Sequence, residues 1–193
     1  MKLKHLILSS TMGLMVMSIG VFAQEGKGAA GMIVNGEFNS SETGHIPHWS
    51  GWGLRALPLN ENDIKGCRLI LPEKTANGWY SSETMTLHPG KEYFFTFKIR
   101  KSGECRFIPF LVVLNREDKK KSNVGINFFP MSDATREISE WTEFFGTVKV
   151  PNRATINAGY IHFYVDRHQD NTTKFSSTDE KHIDLSGLQL REL

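Results

Sequence analysis

The sequence predicts an all-β sandwich or barrel, and three observations predict it. Short apolar or alternating runs recur along residues 32–193, with Gly, Pro, Asn or Asp turns between them at about every tenth residue. No stretch sustains a helical period with caps at its ends. The clearest run, Glu92 to Arg100, alternates strictly and places Tyr93, Phe95, Phe97 and Ile99 on one face. Together they predict about eight to ten antiparallel strands.

Residues 1–23 stand outside that fold. Lys2, Lys4 and His5 precede an apolar run from Leu6 to Phe22, and Val21-Phe22-Ala23 offers small residues where a signal peptidase reads them. A transmembrane helix is the rival reading; Ser9, Ser10, Thr11 and Ser18 dilute the run and no basic stop-transfer cluster follows. With no cysteine near the cleavage point to carry a lipid, the expectation is an exported protein, periplasmic or extracellular and bacterial. Residues 24–31, rich in Gly and Ala, read as a flexible lead-in, and residues 32–193 as one domain large enough to bury its own core.

The elements follow in order. Gly31 to Phe38 reads as the first strand, and Asn39 to His45 as a polar loop. Ile46 to Gly53 brings Trp49 and Trp52, of which Trp49 is assigned to the core. Leu54 to Leu59 alternates weakly; Asn60-Glu61-Asn62-Asp63 is turn chemistry. Cys67 to Leu71 is a short buried strand ending at Pro72. Gly78 to Leu87 follows, and His88-Pro89-Gly90-Lys91 turns into the Glu92–Arg100 strand. Cys105 to Leu114 is apolar, Asn115 to Asn123 a charged turn, and Val124 to Phe129 the return. Trp141 to Val150 alternates again, Ala158 to Val165 precedes a polar loop, and Ile183 to Leu190 closes the chain.

Charge excludes several partners. The leader takes Lys2 and Lys4 of the 23 basic residues and none of the 21 acidic ones, so the remainder is balanced. A balanced chain has no bulk attraction for nucleic acid or anionic membrane. Lys119-Lys120-Lys121, beside Glu117 and Asp118, reads as a solvated hairpin tip. Cys67 and Cys105 are the only cysteines; in an oxidising compartment they form either a disulfide or two separate buried thiols.

Several motifs follow one another in order. Asn35-Gly36-Glu37-Phe38-Asn39 opens the set, and Pro47-His48-Trp49 supplies a Pro-x-Trp. Gly66-Cys67-Arg68-Leu69 and Pro89-Gly90-Lys91-Glu92-Tyr93 come next. Trp141, Val150-Pro151 and Ile183-Asp184-Leu185-Ser186-Gly187-Leu188 complete the set, which spans Met32 to Leu190. In this order they resemble the jelly-roll carbohydrate-binding modules of the cellulose-, xylan- and laminarin-binding type, which are galactose-binding-like sandwiches. The resemblance implies a jelly-roll β-sandwich that binds polysaccharide or another glycan without catalysis. It implies Trp79 and the pair Tyr164 and Asp166 as carbohydrate-binding residues, and a structural calcium ion (Ca2+) on Glu37, Asn39 and Asp184. Asn39 replaces the family's usual acid and supplies an amide oxygen. Family members are mostly appended to a catalytic domain. A free-standing module works as a secreted binder, or as a partner of a secreted glycoside hydrolase or surface protein.

Flat aromatic faces stack on sugar rings, so Tyr80, Trp52 and Phe129 join the candidates. A structural or adhesive module binding a protein is the alternative. A jelly-roll lyase or hydrolase needs a histidine or two opposed carboxylates in the same groove. The histidines are scattered, and His45-x-x-His48 lacks the Glu of a zinc protease motif, so no enzyme is expected.

Overall fold

A computed structural model describes residues 32–101, 105–114, 123–128, 134–152, 157–167 and 181–193. The leader, the lead-in and Phe129 lie outside the described residues. Among the described residues eleven strands form two antiparallel sheets, a jelly-roll sandwich. They are β1 (Trp49–Trp52), β2 (Arg55–Glu61), β3 (Ile64–Leu71), β4 (Asn77–Ser82), β5 (Met85–Thr86) and β6 (Glu92–Lys101). After these come β7 (Cys105–Val113), β8 (Val124–Asn127), β9 (Ile138–Lys149), β10 (Ala158–Arg167) and β11 (Lys181–Glu192). The front sheet runs β1-β4-β10-β7-β8, with β5 paired to β10; the back sheet runs β2-β3-β11-β6-β9.

Period-two alternation decides which side chains enter the core. Along β6, Tyr93, Phe95, Phe97 and Ile99 point inward as their sequence predicts. Lys101 continues that parity and is also buried; its ammonium donates to the carbonyls of Cys105 and Ala134 at 2.7 and 3.0 Å. From the front sheet Phe107 and Phe163 meet at 5.5 Å, and Trp49 lies between Tyr80 and Phe163 with both ring centroids 5.5 Å away. The β2–β3 connection is a two-residue hairpin. Asn62 and Asp63 both have positive φ (48° and 66°), as a type I′ turn requires and as Asn and Asp tolerate.

The first predicted strand is instead a turn. Asn35 and Phe38 have positive φ, which no extended ladder accommodates, and the Phe38 N–H donates back to the Asn35 carbonyl. The Asn35 side chain bonds the backbone of Asn39 in both directions, locking the loop. The segment still docks on β11: the Met32 N–H donates to Leu190 and the Leu188 N–H to Gly36. A Cβ at Gly36 would sit 2.0 Å from the Leu188 carbonyl oxygen, so the close approach requires glycine.

Cys67 and Cys105 are separate buried thiols, on the back and front sheets respectively, and not a disulfide. Burial pushes both thiols above the ordinary range and leaves them unreactive.

Candidate glycan-binding face

The outward residues of the front sheet form four rows across the strands, because directly paired residues share a face. Trp52 pairs with Trp79, Trp79 with Tyr164, and Tyr164 with Ile108. This row is an aromatic platform about 10 Å across its three rings, given ordinary strand spacing. Trp52 is 62% exposed. On one side of the platform lies the row Asn77–Asp166–Arg106. On the other lies Ser50–Ser81–His162–Phe110–Asn127. Beyond that stands Tyr160, opposite Val112.

The two flanking rows are pre-set by their own bonds. The Arg106 Nε donates to both Asp166 oxygens at 3.1 Å, and its Nη2 also donates to Oδ2. Donating to the Asp166 carboxylate raises the Arg106 guanidinium above its ordinary range. The pair is thus a fixed, charge-balanced fork. On the other side Ser81 Oγ and His162 Nδ1 lie 2.7 Å apart, which engages one ring nitrogen. His162 is ringed by Trp79 (5.7 Å), Tyr160 (6.1 Å) and Phe110 (6.5 Å).

Burial among these rings lowers the His162 imidazole below 6.5. The unfolded chain then binds the proton more readily than the folded one. The associated stability is full above that value and is lost as pH falls below it. Melts between pH 7.5 and 5 are therefore expected to show a loss that His162→Gln flattens. A slope unchanged in that variant would contradict the assignment.

Trp79, Tyr164, Asp166 and Trp52 thus come together on one face. Tyr80 does not join them. It follows Trp79 directly on β4, so alternation turns it inward, where it is buried against Trp49. His162, Tyr160, Phe110 and Arg106 were missed by the sequence reading. The parity of Tyr164 and Asp166 extends to His162 and Tyr160, and would have found them.

The three residues expected to hold calcium do not fit that ion. Asp184 is on β11 with its side chain 0% exposed. The Arg68 Nε donates to its Oδ1 at 2.7 Å and Arg68 Nη2 to Oδ2 at 2.9 Å. Arg100 donates to Oδ2 through Nε at 3.0 Å and Nη2 at 2.7 Å. Two guanidinium groups already occupy the carboxylate, and their charge repels a cation. Arg100 also binds Glu61 through both terminal nitrogens, at 3.2 and 2.6 Å, and stacks 5.1 Å over Trp141. Glu37 lines a cleft whose lining does not include Asp184, and the Asn39 backbone is held by Asn35. Among the described residues no cluster of three or more His, Cys, Asp or Glu could hold a metal. Chelation with EDTA is expected to leave the melting temperature unchanged; a rise on adding calcium would restore the ion.

Comparison with solved structures settles the architecture. The enzymatically active domain of bacteriophage CBA120 tailspike protein 4 superposes with a TM-score of 0.55 at 15% identity. The match covers 84% of this chain and only 21% of the tailspike chain. A family 16 carbohydrate-binding module gives 0.52 at 14% identity, covering 83% of this chain and 99% of the module. The CBM22-2 xylan-binding domain from Paenibacillus barcinonensis Xyn10C gives 0.50 at 14%, covering 79% and 96%. The fold is the jelly-roll β-sandwich that these chains share. The described residues hold no helix long and apolar enough to cross a membrane. No protein-family model and no curated protein matches the chain.

Proposed function

We propose that the chain binds a neutral polysaccharide without catalysis, laid across the strands of the front sheet. The observation that carries the reading is the outward-facing row Trp52–Trp79–Tyr164, set between two hydrogen-bonding rows. Sugar rings present apolar faces and polar edges; the platform matches the faces and the flanking rows match the edges. A neutral ligand suits the face because Asp166 already balances Arg106. Catalysis does not suit it. Among the described strand residues on this side Asp166 is the one carboxylate, whereas glycoside hydrolysis needs two across the bond. The solved modules of this fold include a xylan-binding domain, which guides the choice of probe. A signal-led export to the periplasm or exterior accords with such a ligand.

The test is affinity electrophoresis on gels containing xylan, mixed-linkage β-glucan or laminarin. The wild type is expected to be retarded on at least one polysaccharide. Trp79→Ala is expected to weaken binding by about 2 kcal/mol, roughly thirtyfold, while remaining folded. A folded wild type that no polysaccharide retards would shift the reading to a protein partner, and a pull-down would follow.

A further inference from the structure

We infer that the module carries a second sugar-binding subsite on the outer face of the back sheet, and therefore cross-links polysaccharide chains. The inference rests on the glycan reading of the front face. The back sheet holds a cleft of about 370 Å³, walled by the tip of the β2–β3 hairpin and floored by β11, β6 and β9. Its floor is the irregularity between Ser186 and Gln189, where the β11–β6 register shifts. Gly187 there has φ +59° and open space beyond it, so the bulge creates room instead of filling it.

The chemistry of the cleft suits a polyhydroxylated ligand. Carboxylates (Glu143 and Asp63) accept hydroxyl protons, ammonium groups (Lys98 and Lys65) donate to hydroxyl oxygens, and the Gln189 amide does both. Opposite charges interleave on these walls, which disfavours a ligand of one strong sign. At the cleft's edge stands Phe145, 70% exposed and directly opposite the cleft residue Thr96. The ring is backed by Phe94 at 6.5 Å, and the Arg191 guanidinium lies 4.9 Å over Phe94. An exposed aromatic held by a stack beside a polar cleft repeats the logic of the front face: a ring to stack on, and charged groups to read hydroxyls. The two faces point in opposite directions, so one protein reaches two chains.

Four proteins test this on the gels above: wild type, Trp79→Ala, Phe145→Ala and the double variant. Trp79→Ala is expected to lose about thirtyfold and Phe145→Ala about tenfold in affinity, each keeping residual retardation, and the double to lose it all. Wild type mixed with the retarding polysaccharide is expected to turn turbid, and either single variant to stay clear. Loss of all retardation in Trp79→Ala with none in Phe145→Ala overturns the second subsite alone. The reverse result sustains the second subsite and overturns the front-face reading. Failure of every gel to retard the wild type overturns both. A wild type that sediments as a dimer, with Phe145→Ala a monomer, makes this face a self-association surface and overturns the sugar assignment.

Discussion

Asp184→Asn is expected to lower the unfolding free energy by about 3 kcal/mol, read as a fall in the urea midpoint with an unchanged slope. The carboxylate is wholly buried and receives two guanidinium groups from neighbouring strands of the back sheet. Burial alone would push its carboxyl up; the hydrogen bonds from Arg68 and Arg100 outweigh that and hold it below the ordinary carboxylate range. Asparagine keeps the shape and removes the charge, leaving Arg68 and Arg100 to face each other across the strand. The arginines are partly exposed, which keeps the loss at the lower end for a buried pair. Because the folded carboxyl is depressed, its contribution is intact above about 4 and is lost as pH falls further. That window lies below the one assigned to His162. A change under about 1 kcal/mol would show that the network orders the sheet without stabilising it.

Trp49→Ala is expected to cost about 4 kcal/mol, a large share of the total stability of an ordinary domain. Trp49 is 3% exposed, lies parallel to Phe163 and nearly so to Tyr80, and touches Phe38 at 4.9 Å. Its indole N–H also donates to the Asn35 carbonyl at 3.2 Å, tying the opening turn to the front sheet. Calorimetric melting measures the loss. A variant that melts like the wild type would mean that the opening turn packs independently. The contrast with Trp79 is sharp: a tryptophan inside the sandwich acts on stability, and one on its outer face acts on binding.

Much of this was legible in the sequence, and the failures have physical causes. Alternation located β6 and the inward set Tyr93, Phe95, Phe97 and Ile99 without help, because one buried face imposes a strict period. The same period puts Tyr164 and Asp166, two residues apart on β10, on one face. Tyr80 was misplaced for want of the same rule, since neighbours on a strand cannot share a face. The opening segment has a strand's composition, yet Asn35 and Phe38 adopt left-handed backbone that apolar patterning does not reveal. The fate of Asp184 was least legible. Its partners Arg68 and Arg100 stand 116 and 84 residues away, and only the order β3-β11-β6 brings them alongside. A motif that resembles a calcium-binding strand therefore hosts a guanidinium pair.

The last of the described strands in sequence is the middle strand of the back sheet. β11 joins the β2–β3 hairpin to the β6–β9 pair, and it also receives the opening turn through Met32 and Leu188. Until residues 181–192 are available those three pieces share no neighbour, and the back sheet cannot close. Closing the back sheet therefore waits on its most non-local pairings, and such pairings make the slow step of folding. β11 acts as the timing element of the back sheet, its arrival marking the moment at which separate hairpins become one surface.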